Sequence, residues 1–123
     1  MNIQDLRDYC LSLSDDIEEK TPFAKFHGAE DVLVFYVGGH MFCYFDINQF
    51  DTVTVKCQPE RIAELKEQFD FIEEPYNGNR KYWIGIRMSQ ADDATVKTLV
   101  ENSFLLVRES YRPKKTRKPA SDR

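Results

Sequence analysis

The chain has 123 residues, 41% hydrophobic and 31% charged, with a formal net charge of −4, which suits one domain that buries a core without disulfide or metal staples. No apolar run approaches the roughly 18 residues of a membrane helix. The opening MNIQDLRDYC lacks the basic-then-apolar order of a secretory leader, so a cytoplasmic location is expected.

Residues 2–14 predict an amphipathic helix. Ile3, Leu6, Cys10 and Leu13 recur at helical spacing, and Leu11 widens the stripe. Asn2 suits the N-cap, with Asp5 in the first turn. Thr21-Pro22 forces an extended or turning backbone, and residues 18–26 read as a short irregular edge strand. Val32–Val37 and residues 41–47 are β-rich, and the Gly38-Gly39 between them suits the positive φ angles of a tight hairpin. Residues 52–57 alternate, with Val53, Val55 and Cys57 on one face and Thr52, Thr54 and Lys56 on the other. Pro59–Gln68 predicts a helix with proline at its first position and Ile62, Leu65 and Phe69 on its apolar side. Residues 71–76 and 81–88 predict a second hairpin around Asn77-Gly78. Ser89 is the expected cap of a last helix, with Asp92 and Asp93 near its positive end and Val96, Leu99, Val100, Ser103, Phe104 and Val107 facing inward.

The charge is uneven along the chain. Residues 1–111 hold 11 Lys/Arg against 20 Asp/Glu, a balance of −9, whereas residues 112–123, RPKKTRKPASDR, hold six against one. The latter segment has two prolines and no large apolar residue, which predicts a disordered basic tail. It reads either as a solvated end or as an arm for nucleic acid or an acidic partner. The element order α-β(3-4)-α-β(2)-α predicts one α+β domain over residues 1–111. Its form is a two-layer sandwich, an antiparallel sheet of about five to six strands packed against helices.

Candidate chemistry is sparse. Cys10, Cys43 and Cys57 are odd in number, lack C-x-x-C spacing and sit in apolar patterns, so they read as buried reduced thiols. His40 and Cys43, three apart on a strand, point to opposite faces, and no metal site is expected. The pairs Asp15-Asp16, Glu18-Glu19, Glu73-Glu74 and Asp92-Asp93 read as caps and solvated surface. No nucleophile motif or phosphate loop occurs, so neither an enzyme nor a cofactor is expected.

The last strand is more informative. Tyr82, Ile84, Ile86 and Met88 share one face, and Lys81, Trp83, Gly85 and Arg87 the other. Trp83, the only tryptophan, then stands between two cations as a platform for a base or phosphate. The other reading is that it packs over neighbouring strands under Lys and Arg stems. Tyr36, Phe42 and Tyr44 extend an aromatic sheet face if the register allows, and such a face also suits a dimer contact.

Five segments in order resemble the MmcQ/YjbR family of small bacterial proteins. They are Glu19-x-x-Pro22-Phe23, Val37-Gly38-Gly39-His40-Met41-Phe42, Val55-Lys56-Cys57 with Pro59-Glu60, Tyr76-Asn77-Gly78-Asn79-Arg80-Lys81-Tyr82-Trp83, and Ser103-Phe104-x-Leu106-Val107. The resemblance implies an α+β fold related to the CyaY (frataxin-like) proteins and secretion chaperones. It also implies DNA binding through two hairpin wings, here residues 37–40 and 76–81. His40 stands where the family usually has lysine, and Asn77 and Tyr82 where it has histidine. Those departures remove cations from the suspected face, and the −9 body opposes tight non-specific duplex binding. The site expected from these readings has Lys56, Arg80, Lys81 and Arg87 on phosphate, with Trp83 stacking. Asn79 hydrogen-bonds or completes the turn, and His40 lies on the first wing. The alternative is a protein-interaction or chaperone-like module, dimeric through an aromatic face that includes Trp83 and Tyr44.

Overall fold

A computed structural model of the protein describes residues 1–111. The elements are α1 (Ile3–Ser12), β1 (Glu18–Lys20), β2 (Val32–Val37), β3 (His40–Asp46), β4 (Thr52–Lys56), α2 (Pro59–Gln68), β5 (Ile72–Glu73), β6 (Trp83–Arg87) and α3 (Asp93–Ser110). The expected basic tail, residues 112–123, lies outside the described residues.

Local chemistry sets most element ends. A capping box opens α1: the Asp5 N–H donates to Asn2 Oδ1 at 2.8 Å, and the Asn2 N–H to Asp5 Oδ2 at 3.3 Å. Arg7 ties that helix to the sheet edge, donating to the Glu19 carboxylate on β1 at 2.7 and 2.5 Å. The strand expected over residues 18–26 stops at Lys20. Beyond it the backbone closes successive turns, with Ala24 N–H on Thr21 O, Phe26 N–H on Phe23 O and Ala29 N–H on Phe26 O. Pro22 has no N–H to extend a ladder. Gly38 (φ 61°) and Gly39 (φ 82°) make the β2–β3 turn, a backbone that side-chain-bearing residues resist.

The sheet order is β1-β2-β3-β4-β6-β5, antiparallel throughout. All three helices cover one face. Phe35, Val37, Val53, Val55, Ile84 and Ile86 meet Leu6 and Cys10 of α1, Ile62 and Leu65 of α2, and the inner face of α3. Each such buried side chain contributes about 1.5–3 kcal/mol, so this layer carries the fold. All three cysteines are free and buried, as expected. A hydrogen bond with Cys10, and burial, hold the Cys43 thiol well above its ordinary pKa.

A β-bulge breaks the period of β3. Phe35 pairs with Cys43 and Tyr36 with Met41, so Phe42 is the extra residue. Phe42 and Cys43 therefore both face the helices. The β3–β4 ladder spans only Cys43↔Val55 and Tyr44↔Thr54. Buried Ser103 of α3 takes over where it stops: its Oγ donates to Phe42 O at 2.5 Å and accepts from the Lys56 N–H at 2.8 Å.

Two expectations near the C-terminal half are corrected. The cap of α3 is Asp92, whose carboxylate accepts from the Thr95 N–H at 2.9 Å. Ser89 lies in a preceding turn, closed by the Gln90 and Ala91 N–H groups on Arg87 O. The second hairpin exists, but β5 is only two residues long and Asn77-Gly78 is not its two-residue turn. Instead residues 74–82 form a wide loop over the sheet's outer face. Pro75 has no ladder donor. Thr54 Oγ1 accepts the Tyr76 N–H at 3.2 Å, and the Tyr44 hydroxyl donates to Tyr76 O at 2.6 Å. Asn77 adopts φ 54°. The Asn79 carbonyl accepts from the Tyr82 and Trp83 N–H groups, and its Oδ1 from the Lys81 N–H at 2.9 Å. Asn79 is thus the residue that completes the turn.

Among the described residues no helix is long and apolar enough to cross a membrane. No three His, Cys, Asp or Glu side chains among them group as a metal site.

Candidate nucleic-acid interface

Antiparallel pairing gathers distant residues at one end of the sheet. Val37 pairs with His40 at the start of β3, and Lys56 at the end of β4 pairs with Trp83 at the start of β6. Helix α3 runs to the same end, where Tyr111 is its C-cap.

The side chains there form a connected row. The His40 and Tyr111 rings stack with centres 3.6 Å apart and planes 10° from parallel. Lys56 Nζ lies 5.4 Å from the Tyr111 ring centre and 5.8 Å from that of Trp83. Trp83 in turn packs on Tyr44 at 5.6 Å. Lys56 makes no ion pair among the described residues, so its charge is held by ring faces rather than neutralised. Tyr44 is 6% exposed. Burial is the main reason its hydroxyl pKa is pushed up to about 12.

The expected site residues divide. His40, Lys56 and Trp83 come together. Arg80 and Lys81 sit in the adjoining 74–82 loop. Arg80 is highly exposed, with its Nε 3.8 Å from Glu74 Oε1. A hydrogen bond from Lys66 at 2.8 Å holds the Glu74 carboxyl below its ordinary pKa. Lys81 Nζ stands 5.5 Å from the Tyr82 ring centre. Arg87 does not belong to the group. It lies at the far end of β6, opposite Thr52, and its Nε and NH2 donate to Glu73 Oε1 at 3.1 and 2.8 Å. Trp83 therefore does not stand between Lys81 and Arg87, and its cation is Lys56.

The aromatic face is also redrawn. Tyr36 and Trp83 pack with Tyr44 on the outer face, but Phe42 leaves it for an edge-on contact with Phe104 at 5.6 Å. Tyr44 lies beneath the 74–82 loop, so it offers little surface to a flat dimer contact.

Sequence reasoning missed Tyr111. The signal was present, since it lies one helical step of four beyond the core residue Val107. It also missed a cleft of about 400 Å³ beside the row. Phe23 and Phe26 from the turn segment, Met41 and Tyr44 from β3, and Tyr76 and Asn77 from the crossing loop line most of it.

A six-stranded antiparallel sheet with three helices on one face defines a two-layer α+β sandwich. The family model for YjbR matches residues 11–106, and the chain belongs to that family, as its five segments indicated. It is similar to a Deinococcus radiodurans protein with a DUF419 domain, known from its crystal structure, with a TM-score of 0.78 at 28% identity over 96% of this chain and 86% of that one. It is similar in fold to a Pseudomonas syringae protein, with a TM-score of 0.69 at 24% identity over 86% of this chain and 98% of that one. No curated protein matches it.

Proposed function

We propose that this chain is a non-enzymatic nucleic-acid-binding protein that takes DNA at the sheet end where His40, Lys56, Trp83 and Tyr111 meet. The observation that carries this reading is the Lys56 ammonium, set between two aromatic rings and without a carboxylate partner among the described residues. A cation in that position meets a phosphate, and the flanking rings offer surfaces for bases. Both wings implied by the family resemblance lie at this end, with Arg80 and Lys81 on the second.

The overall negative charge of residues 1–111 does not oppose a local patch, because the field depends on where charges stand. Asp and Glu outnumber Lys and Arg in the body, yet six of the 17 basic residues follow Tyr111 directly in sequence. The catalytic alternative has little to build on. The three thiols are buried, His40 is stacked on Tyr111, and His27 is exposed, with its Nδ1 3.8 Å from Glu30 Oε2.

The test is binding of labelled DNA to the full chain across a salt series. Affinity is expected to fall steeply with salt. It is also expected to drop when Lys56, or Arg80 and Lys81 together, become Glu. Salt-independent binding, or no response to either change, overturns the reading.

A further inference from the structure

The cleft beside the row has features that a phosphate site alone does not need. Its volume, about 400 Å³, lies within the size range of small-molecule sites. No side chain lining it carries a charge at neutral pH. Its walls are largely aromatic, and Phe26 is 62% exposed at its edge. Asn77, held at positive φ on the rim, makes no side-chain hydrogen bond among the described residues and so keeps both an amide donor and an acceptor. The Tyr44 hydroxyl is already engaged, donating to Tyr76 O with Thr54 as its other partner, so Asn77 is the polar group left for a ligand edge.

The cleft neighbours the cationic row through Tyr44. Tyr44 belongs to both, lining the cleft and packing on Trp83, and Met41 on the cleft floor adjoins His40. A ligand spanning the two regions needs a flat, neutral group with hydrogen-bonding edges for the cleft. It needs an anion a short distance away for Lys56. A nucleotide within a strand has both. In a duplex the base is stacked and paired, and entering the cleft carries a cost of unstacking and unpairing that a single strand does not incur.

We propose that this cleft is a nucleobase pocket and that the ligand class is single-stranded nucleic acid. An unstacked base lies against Phe26 and Tyr76 with its edge toward Asn77, while a neighbouring phosphate meets Lys56. This inference rests on the nucleic-acid reading above and narrows it to single strands.

The experiment uses the full chain and three fluorescein-labelled probes of equal length. These are a thymidine strand of about twelve nucleotides, the same strand paired with its complement, and an abasic strand with the same phosphates. Anisotropy at one low salt concentration gives each Kd. The thymidine strand is expected to bind about tenfold more tightly than the abasic strand, as base–aromatic stacking supplies, and more tightly than the duplex. Phe26→Ala removes an exposed ring that the core does not need. It should bring the thymidine-to-abasic ratio close to one and leave abasic affinity unchanged. Equal binding of all three probes, or a ratio unmoved by Phe26→Ala, overturns the pocket while leaving the nucleic-acid reading in place. No binding of any probe removes both.

Discussion

Lys56 and Trp83 are cross-strand partners on β4 and β6, and the Lys56 ammonium stands 5.8 Å from the centre of the indole ring. That pairing makes the outer face of the sheet's end cationic and aromatic at once. Replacing Lys56 with Met keeps an apolar stem across Trp83 and removes the charge. The expected cost in stability is about 0.5–1 kcal/mol, the worth of a part-exposed cation–π contact. The expected effect on DNA is larger and has a signature: the slope of log affinity against log salt should flatten by about one. Titration monitored by Trp83 fluorescence measures it, and an unchanged slope places the phosphate contact elsewhere.

Arg87 should behave in the opposite way. It is bonded to Glu73, whose other oxygen accepts from the Thr52 hydroxyl at 2.6 Å. The group is a part-buried brace between β4, β5 and β6. Arg87→Ala is expected to lower stability by about 1 kcal/mol, a modest figure because the pair is partly solvated. DNA affinity should be unchanged, because the residue lies at the far end of β6. Denaturant melts and a binding titration on one preparation separate the two effects. A loss of binding without a loss of stability would return Arg87 to the interface.

The division between these two residues shows what was legible in the sequence. Period-3.6 patterns gave Pro59–Gln68 and the six inward residues of α3, because helix faces are fixed by local geometry. The same period-2 count correctly put Trp83, Gly85 and Arg87 on the outer face. It could not say which cation stands beside Trp83, since that depends on the register Lys56↔Trp83 between strands 27 residues apart in sequence. Phe42 was miscounted with Tyr44 because the bulge at Phe42 shifts the alternation by one, and nothing local marks it. The wide 74–82 loop was hidden for a related reason. Asn-Gly signals a tight turn, but the Tyr44 and Thr54 side chains hold the backbone at Tyr76 in its path over the sheet.

Gly85 makes that path possible. A Cβ added there would lie 2.4 Å from the Glu74 carbonyl oxygen and 2.9 Å from Thr52 Cγ2. The first of these is backbone, so the crossing loop itself must move. Gly85→Ala is expected to destabilise by about 1–3 kcal/mol, as overpacking does. Because the loop carries Tyr76 and Asn77, the variant should also lose selectivity among DNA probes. Gly38→Ala is the contrasting case. A Cβ there meets nothing within 4 Å, so its cost should come only from φ 61°, about 1 kcal/mol. Chemical denaturation of both variants checks the contrast, and equal binding profiles would uncouple the loop from DNA.

Tyr44 sets an alkaline limit on stability. Its folded pKa is pushed up to about 12, against an ordinary value of 10.0. Below pH 10 the phenol is neutral in both the folded and unfolded states, and its contribution is fully present. Between pH 10 and 12 the unfolded chain loses the proton while the folded protein keeps it. Unfolding then releases a proton, and stability falls as pH rises. The full loss is on the order of 2–3 kcal/mol for a shift of this size. Tyr9, Cys43 and Cys57 are also raised, so total alkaline destabilisation does not isolate Tyr44. The comparison that does is with Tyr44→Phe. Near pH 8 the wild type should be the more stable by about 1 kcal/mol, through the hydrogen bond to Tyr76 O. That advantage should shrink above pH 10 and reverse before pH 12, because the variant has no phenol to titrate. Urea melts of both proteins at intervals from pH 8 to pH 12 give the difference directly. Parallel curves would mean that the Tyr44 proton is not what the alkaline limit depends on.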